Sequence, residues 1–376
     1  MDLDSLLADV RELVECESPS TDLAAVARSA DVVARQGERR LGLPPERIVV
    51  DGVTHLRWRL GGPTRVLLLG HHDTVWPLGS LADHPCAVVD GVLRGPGCFD
   101  MKVGVAMALH AAALLDDRDG VTILVTGDEE VGSLTSRTLI EDEARGAEAA
   151  LVLEASADGG AIKTERKGAS MYDVRVIGRA AHAGLEPERG VNATLELAHQ
   201  ALAVAELGRP EAGTTVTPTV LAAGTTTNTV PAGGSFSVDV RATTLAEQER
   251  VDAAMRALSP VLPGAELVVT GGINRPPLAA ADSAALYDRV RALAVRRGLP
   301  VPGSAAVGGA SDGNFTAGVG TPTLDGLGAV GGGAHAADEH VLVDEIPSRT
   351  LLLHALVADL LAHPTNRPEP TGAARP

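Results

Sequence analysis

The sequence predicts an α/β protein built on a mostly parallel sheet, with a smaller α+β domain inserted into it. Short apolar runs at residues 66–69, 121–126 and 150–153 alternate with helical segments, and this alternation is typical of a parallel sheet flanked by helices. Between residues 167 and 278 the predicted order changes to β-α-β-β-α-β, which is the split βαβ pattern. Helical and strand signals of the first kind then resume, so we expect an insertion.

The first segment of the larger domain can be followed element by element. Leu3, Leu6 and Val10 belong to a helical stripe over residues 3–16. Ser20-Thr21-Asp22 is a predicted N-cap for a second helix that runs to about residue 40. The glycine- and proline-rich stretch 84–99 leads into residues 95–102, and Asp100 is expected on a loop at a helix N-terminus. The remaining predicted elements here are strand character over 49–60, a helix over 103–115 and a helix that ends near residue 144.

The inserted domain is expected to be ferredoxin-like. Its predicted strands cover 171–177, 215–223, 235–241 and 265–270, and its predicted helices cover 192–207 and 245–258. Helices over 282–298 and 345–363 then return to the larger domain. The predicted boundaries are therefore 1–166 and 279–364 for the larger domain, 167–278 for the insertion, and 365–376 for a frayed tail.

Composition excludes several classes of function. The formal net charge is −17, from 32 basic and 49 acidic residues, and nucleic-acid binding needs a basic face. No stretch approaches the roughly 18 apolar residues of a membrane span, and the acidic start lacks a signal-sequence pattern. Three cysteines without CxxC spacing argue against a disulfide framework. The sequence predicts a cytoplasmic protein with no nucleic-acid or membrane partner.

Polar residues follow each of the three apolar runs. His71-His72-Asp73 follows the first, Gly127-Asp128-Glu129-Glu130 the second, and Glu154 the third. Ligands bind beyond the carboxyl ends of strands in open α/β sheets, so these side chains are expected to converge. Two glycine-rich stretches supply further candidates. The candidate metal ligands are His71, Asp100, Glu130, Glu154 and His335.

This set of two imidazoles and three carboxylates suits zinc, or alternatively manganese or cobalt. Five ligands divide into one bridging carboxylate and two terminal ligands for each of two ions. Because Glu129 and Glu130 are adjacent, one can bind metal while the other acts as a general base toward an activated water. Each motif alone also fits an ordinary loop or helix start; it is their convergence at successive strand ends that favours a site.

The combination of motifs resembles the M20 metallopeptidase family, and within it the glutamate carboxypeptidase-like branch. The resemblance covers nearly the whole chain, including the inserted domain. It is carried by residues 70–75 (Gly-His-His-Asp-Thr-Val), residues 95–102 (Gly-Pro-Gly-Cys-Phe-Asp-Met-Lys), residues 126–133 (Thr-Gly-Asp-Glu-Glu-Val-Gly-Ser) and the late His335.

The resemblance implies a role for each of these residues. His71 and Glu154 would hold one ion, Glu130 and His335 the other, and Asp100 would bridge them. Asp73 would orient His71, Glu129 would be the general base, and His72 fills a variable position. Many relatives carry a second aspartate where this chain has Met101, so the surroundings of the bridge are less polar here.

The inserted domain has its own counterparts in the family. The resemblance implies a dimerisation or lid domain, in which His182 reaches the partner subunit's site and stabilises an oxyanion. Outside that context, His182 reads as a surface histidine in a Gly/Ala turn. Asn228 and Arg241 are expected to contact substrate. In the larger domain, the glycine-rich stretch around Ser311 is expected to shape the substrate pocket through its backbone groups. Arg241 suits a substrate carboxylate, although an ion pair with Asp239 is the alternative.

The predicted function is cleavage of an amide bond in an N-acyl amino acid or short peptide, next to a free C-terminal carboxylate. Two divalent ions, zinc first, would be the cofactors, and a homodimer is expected. An N-acetyl-amino-acid deacylase or a dipeptidase of the same family is a close alternative. A non-catalytic binding protein that retains the fold is an alternative of a different class.

Overall fold

The computed structural model of the protein describes residues 1–363, which fold into two compact units. Unit 1 contains Met1–Glu165, Leu278–Val307 and the described residues from 311 onward, and unit 2 contains Arg166–Pro277 and Gly308–Ala310. The boundaries predicted from the sequence include residues 308–310 in the larger domain. They belong to unit 2, where the Arg166 guanidinium donates a 3.0 Å hydrogen bond to the Gly309 carbonyl. The predicted tail at 365–376 lies outside the described residues.

Except for the short helix α8 (Gly313–Gly318), which the sequence pattern did not predict, the helices lie close to the predicted positions. Asp22 caps the second helix, since its side chain accepts a 2.9 Å hydrogen bond from the Ala25 amide. Over residues 1–363 none of the helices is long and apolar enough to cross a membrane. The helices are α1 Leu3–Glu15, α2 Leu23–Leu41, α3 Val103–Ala113, α4 Arg137–Ala144, α5 Ala193–Ala205, α6 Leu245–Arg256, α7 Ala280–Arg297, α8 Gly313–Gly318 and α9 Ile346–Ala362.

The strands include several short ones that the sequence analysis did not predict. They are β1 Glu46–Val50, β2 Val53–Arg59, β3 Val66–His71, β4 Ala87–Val89, β5 Val92–Arg94, β6 Val121–Thr126, β7 Ala149–Val152, β8 Ile162–Arg166, β9 Gly168–Ile177, β10 Ala181–His182, β11 Thr215–Ala223, β12 Thr229–Val230, β13 Gly233–Ala242, β14 Glu266–Arg275, β15 Ser304–Val307, β16 Thr323–Leu324, β17 Gly331–Gly332 and β18 His340–Leu342.

Unit 1 is organised around a six-stranded sheet with the order β1-β2-β6-β3-β7-β16. Strands β6, β3, β7 and β16 are parallel neighbours, and β1 and β2 join them in antiparallel pairing. The predicted mostly parallel sheet is confirmed. The predicted strand character over 49–60 corresponds to the end of β1 and to β2, which form a hairpin. Its turn is Asp51-Gly52, with φ of 49° and 85°, the backbone geometry of a tight hairpin turn.

The central strand β3 is buried on both faces. Val66 and Leu68 lie in one core cluster with residues of α2, α3, α7 and α9. Leu67 and Leu69 lie in another with Ile140 of α4 and Phe315 of α8. Helices therefore cover both faces, which explains why this strand is an unbroken apolar run rather than an alternating one.

A small antiparallel sheet in unit 1 has the order β17-β18-β5-β4. Its β4–β5 hairpin turns at Asp90-Gly91, with φ of 51° and 76°, inside the glycine- and proline-rich stretch 84–99. Pairing of His340 with Arg94 brings the chain that follows His335 alongside the segment that leads to Asp100.

Unit 2 is a four-stranded antiparallel sheet with α5 and α6 packed on one face. The order β11-β13-β9-β14 is that of a split βαβ fold, and the predicted fold class is confirmed. Residues along β9 alternate between buried and exposed, as a sheet with one covered face requires. Phe236 and Val240 of β13 lie in the core with Val251 of α6.

Candidate metal centre

The parallel strands of unit 1 deliver polar side chains to one edge of the sheet. His71 ends β3 and lies opposite Thr126, the last residue of β6. Leu69 lies opposite Val152, the last residue of β7, two positions before Glu154. The register therefore aligns the ends of three strands at the edge where α/β sheets bind ligands.

His71 lies at the centre of one half of the cluster. Its Nε2 atom is 3.4 Å from Asp100 Oδ1 and 3.5 Å from Glu154 Oε1. One ligand atom from each of His71, Glu129 and Glu154 lies within 4.8 Å of the other two. This half of the site contains enough donors for one metal ion. The Glu129 carboxylate belongs to the same group of neighbouring atoms.

His335 lies in the other half of the cluster. Its Nε2 atom is 3.4 Å from Asp100 Oδ2 and 3.1 Å from Glu130 Oε2. The two oxygens of Asp100 thus face different histidines, as a carboxylate between two ions would. Donor atoms of His71, Asp100 and Glu130 also lie within 4.8 Å of one another. We call the five residues His71, Asp100, Glu130, Glu154 and His335 the ligand cluster.

The ligand cluster fits a metal centre in two respects: its composition, and buried polar atoms that have no hydrogen-bond partner in the part of the chain that the structure describes. His71 Nε2 and Asp100 Oδ1 are buried and make no hydrogen bond within residues 1–363, although buried polar atoms are normally satisfied. His71 Nδ1 is 3.0 Å from the Asp73 carbonyl. Because a carbonyl only accepts, Nδ1 carries the proton and the neutral ring presents a lone pair at Nε2.

The carboxylates give the cluster a negative field. Burial alone would lower the pKa of His71, but Asp100, Asp73 and Glu154 raise that pKa well above its usual value. Hydrogen bonds to Asp100 and Glu130 raise the pKa of His335 to about 10. Burial raises the pKa of Glu130 despite His335. In the absence of metal the cluster therefore attracts protons, which a metal ion must displace.

Asp73 connects the first strand end to the second. Its Oδ1 accepts a 3.2 Å hydrogen bond from the Glu129 amide, and its Oδ2 accepts bonds from the Glu130 amide at 3.2 Å and the Ser20 hydroxyl at 2.6 Å. Its carbonyl holds His71. Asp73 thus orients His71 through its carbonyl and two adjacent glutamates through its carboxylate, which extends the role that we expected for it.

Two further residues that support the ligands were not identified from the sequence. Asp128 accepts hydrogen bonds from the Thr135 amide at 2.7 Å and the Ser136 hydroxyl at 2.6 Å, and so fixes the turn that carries the glutamate pair. Glu339 accepts a 3.0 Å bond from the Asp100 amide. The only available signal was an acid beside a predicted ligand, which by itself usually indicates a solvated residue.

His72 and Met101 point away from the ligands. The ring of His72 is buried and its Nε2 donates to the Thr54 carbonyl at 3.1 Å, and burial lowers the pKa of His72 to about 4. Met101 is buried in the core, where its Sδ accepts a 3.4 Å hydrogen bond from the His71 amide. The peptide bond between Asp100 and Met101 is cis.

Of the predicted functional residues of unit 2, His182 is exposed at the end of the short strand β10, Asn228 is on an exposed turn, and Arg241 is in an ion pair. The Nδ1 atom of His182 accepts a 3.1 Å hydrogen bond from the Gly184 amide, so its neutral ring carries the proton on Nε2. The Ala183 amide donates to the Asn228 carbonyl at 2.9 Å. Arg241 pairs with Asp239 at 2.8 Å, which is the alternative that we had named. Its contact with substrate stays a prediction.

Ser311 is held inside unit 1. Its hydroxyl donates to Asp325 at 2.5 Å and its amide donates to Asn314 Oδ1 at 2.9 Å, and the residue is almost fully buried. Both polar groups are therefore engaged within the protein. A substrate contact of Ser311 stays a prediction that these hydrogen bonds do not support.

A hydrolase that uses metal ions to cleave amide bonds is the class that this fold and this site define. The chain belongs to the peptidase family M20/M25/M40, whose model matches residues 67–359, and the resemblance stated from the sequence is confirmed. Over 375 residues the chain is 30% identical to carboxypeptidase G2 of Pseudomonas sp. (strain RS-16), covering 95% of this chain and 89% of that protein.

Two other comparisons show the range of the family. The chain is 28% identical to the succinyl-diaminopimelate desuccinylase of Rhodospirillum centenum (strain ATCC 51521 / SW), covering 93% of this chain and 96% of that enzyme. The M20 family metallo-carboxypeptidase Sso-CP2 from Sulfolobus solfataricus has the same fold, with a TM-score of 0.73 at 16% identity, covering 95% of this chain and 99% of that structure. The relatives therefore leave the substrate open.

Proposed function

We propose that the protein is a metal-dependent amidohydrolase that releases an amino acid with a free C-terminal carboxylate from an N-acyl amino acid or short peptide, with glutamate as the first candidate. The observation that carries the proposal is the ligand cluster, in which Asp100 faces His71 with one oxygen and His335 with the other. The similarity to carboxypeptidase G2 supports the substrate class.

We assign His71 and Glu154 to one divalent ion, Glu130 and His335 to the other, and Asp100 to both, with zinc as the first choice and cobalt or manganese as alternatives. When bound, such a pair supplies Lewis acidity toward the scissile carbonyl and lowers the pKa of nearby water. Asp73 fixes the tautomer of His71 and the direction of the Glu129-Glu130 turn.

Glu129 is the proposed general base. Its carboxylate lies in the same group as His71 and Glu154, and its amide is fixed by Asp73. From this position Glu129 would take the proton of the attacking water and pass it to the leaving amine nitrogen. The proton ends on the released amino acid, and Glu129 returns to its carboxylate form.

The test is Glu129→Gln. We expect kcat to fall by roughly 10²- to 10⁴-fold, the contribution typical of a positioned base, while mass spectrometry still finds two metal ions per chain. Glu38→Gln, on the exposed face of α2, is the matched control and should retain both activity and metal. A Glu129→Gln enzyme with wild-type turnover would reject Glu129 as the base.

The second candidate is a deacylase with a narrower acyl group, favoured by the equally extensive match to a desuccinylase. A panel of N-acetyl, N-succinyl and N-benzoyl glutamates, succinyl-diaminopimelate and dipeptides, assayed with added zinc or cobalt, separates the readings by kcat/KM. Preference for N-acyl glutamates or dipeptides supports the first proposal, and preference for succinyl-diaminopimelate supports the second. Binding without hydrolysis across the panel would favour a non-catalytic protein.

A homodimer formed through unit 2 belongs to the same proposal. Strand β11 lies at an edge of its sheet, and its Val220 is 79% exposed; Leu202 of the neighbouring helix α5 is 71% exposed. Exposed apolar side chains beside an open strand edge favour a two-fold contact. Through it, His182 would donate from Nε2 to the oxyanion in the partner's site.

Light scattering at micromolar concentration tests the dimer, and Val220→Glu with Leu202→Glu should give monomers. Mixing inactive His182→Ala with inactive Glu129→Gln tests the trans role, because mixed dimers would contain one complete site. A wild-type monomer would count against the dimer and the trans role, and mixtures with no recovered activity would count against the trans role.

We also propose a cytoplasmic location, which the three unpaired cysteines support.

A further inference from the structure

Glu339 has an unusual set of hydrogen bonds for a buried acid. Its Oε1 accepts from the amides of Phe99 at 2.9 Å and Asp100 at 3.0 Å. Its Oε2 accepts from the Gly97 amide at 3.0 Å and from Trp76 Nε1 at 2.6 Å. The residue is only 3% exposed. Three of its four donors are backbone amides of residues 97–100, which we call the Asp100 turn.

The Asp100 turn has little regular structure of its own to hold it. Gly97 adopts a left-handed conformation with φ of 70°, and both Asp100 (φ −115°, ψ 94°) and Met101 (φ −132°, ψ 36°) depart from helical angles. Amides in such a turn lack helical acceptors and need another partner when buried. A carboxylate with two oxygens supplies the acceptors for all of them.

Glu339 also links two parts of the ligand cluster. It follows His335 by four residues in the loop between β17 and β18, and its own amide donates to the Ala336 carbonyl at 3.0 Å. The segment that presents His335 is thus attached directly to the turn that presents Asp100. A shift of this carboxylate would move both residues that face each other at 3.4 Å.

We infer that Glu339 is a positioning residue that sets the orientation of Asp100 between the two metal positions. The inference rests on the proposed function, since it concerns the ligand that would bridge the ions. Its chemical basis is the charge and symmetry of the carboxylate. A glutamine of the same shape has one acceptor oxygen, and its NH₂ group would face two donors instead of accepting from them.

A purely structural role is the alternative, and the chain contains a matched example of it. Glu196 in unit 2 is buried, and it accepts from the amides of Val261 at 2.9 Å and Leu262 at 2.7 Å and from the Gln200 side chain at 2.7 Å. Neither Glu196 nor any of its hydrogen-bond partners belongs to the ligand cluster. Glu196→Gln therefore reports what losing a buried, amide-binding carboxylate does to stability alone.

The experiment compares zinc affinity, by competition with a chromogenic chelator, in wild-type protein, Glu339→Gln, Trp76→Phe and Glu196→Gln. We expect Glu339→Gln to weaken binding of at least one of the two ions by roughly 10- to 100-fold, as loss of a residue behind a metal ligand does, and added metal should restore part of kcat. Trp76→Phe removes one donor and should weaken binding by less than about tenfold. Glu196→Gln should lower the melting temperature and leave both affinities unchanged.

Each outcome decides the matter. Wild-type affinity for both ions in Glu339→Gln would overturn the inference, as would an equal loss of affinity in Glu196→Gln. If Glu339→Gln does not fold, Trp76→Phe decides: weaker zinc binding supports the inference and unchanged binding overturns it. Failure of the wild-type protein to bind two ions would instead overturn the proposed function, and the inference with it.

Discussion

Two groups of carboxylates and histidines in the described part of unit 1 are balanced differently. Asp9 of α1 accepts hydrogen bonds from Arg39 at 3.0 Å, Arg40 at 2.8 Å and the His110 ring at 2.9 Å. We call these four residues the Asp9 cluster. One acid there faces two permanent cations and an imidazole. In the ligand cluster, three carboxylates surround two imidazoles.

This difference distinguishes a charged cluster that stabilises the fold from one that is suited to bind metal. Guanidinium groups keep their charge at any ordinary pH, so the Asp9 cluster is complete without any other component. The positive partners of Asp100 are histidines, which are charged only while protonated. Two buried atoms of the ligand cluster also make no hydrogen bond within the described chain. Such a group is completed either by protons or by metal ions.

The largest expected effect comes from removing the carboxylate that the two halves of the ligand cluster share. Asp100→Asn should lower kcat/KM by roughly a thousandfold, since metal-ion catalysis supplies several kcal/mol to the transition state. In calorimetry, zinc at 100–1,000 times its Kd should stabilise the wild-type protein by about 3–4 kcal/mol for each ion bound, and Asp100→Asn by much less. A full zinc-dependent increase in Asp100→Asn would show that Asp100 is not a ligand.

Asp9→Asn should have the opposite profile. We expect a loss of about 2–3 kcal/mol at pH 7, below the 3–5 kcal/mol of a fully buried pair, because Arg39 is 47% exposed and solvent screens it. Zinc affinity should not change. Urea unfolding with and without zinc measures both quantities, and a change in zinc affinity would remove the distinction between the two clusters.

The effect of Asp9→Asn should also depend on pH in a defined direction. Burial alone would raise the pKa of Asp9, but hydrogen bonds from His110, Arg40 and Arg39 lower it well below 3.8. A lowered pKa in the folded state means that the ionised acid stabilises the protein above its unfolded pKa. The difference from wild type should therefore be complete above about pH 5 and shrink below about pH 4. A constant difference down to pH 2 would contradict this assignment.

The sequence was sufficient for the parts of the fold that follow from apolar pattern. The runs before His71, Gly127 and Glu154 predicted the buried strands, and parallel pairing then brought their ends together. Both missed hairpins turn at an Asp-Gly pair, at Asp51-Gly52 and Asp90-Gly91. Asp-Gly is a recognised hairpin signal, but the strands beside it are short or half exposed, so their pattern was too weak to use.

The candidate site was predictable to the extent that its residues follow strands. The expected ligands come together in the structure, but the residues that hold them could not be found in the same way. Glu339 and Asp128 act through backbone amides, and any acid or amide could supply such bonds from many positions in a sequence. Arg241 forms an ion pair with Asp239. Whether an arginine does this or points into an open pocket likewise depends on side-chain geometry, which sequence spacing alone does not determine.

The smallest expected effect tests how the Asp9 cluster divides its charge. Arg39 bridges Asp9 at 3.0 Å and Glu12 at 2.7 Å from a half-exposed position, so Arg39→Gln should cost only about 0.5 kcal/mol, and less at high salt. Arg40 is more buried, so Arg40→Gln should cost more. The midpoints of urea unfolding at low and high salt measure both. If Arg39→Gln lowered the free energy of unfolding as much as Asp9→Asn, the half-exposed Arg39–Asp9 pair would account for all the stability that the Asp9 cluster contributes. The difference between the two clusters would then be one of solvent exposure and not of permanent charge.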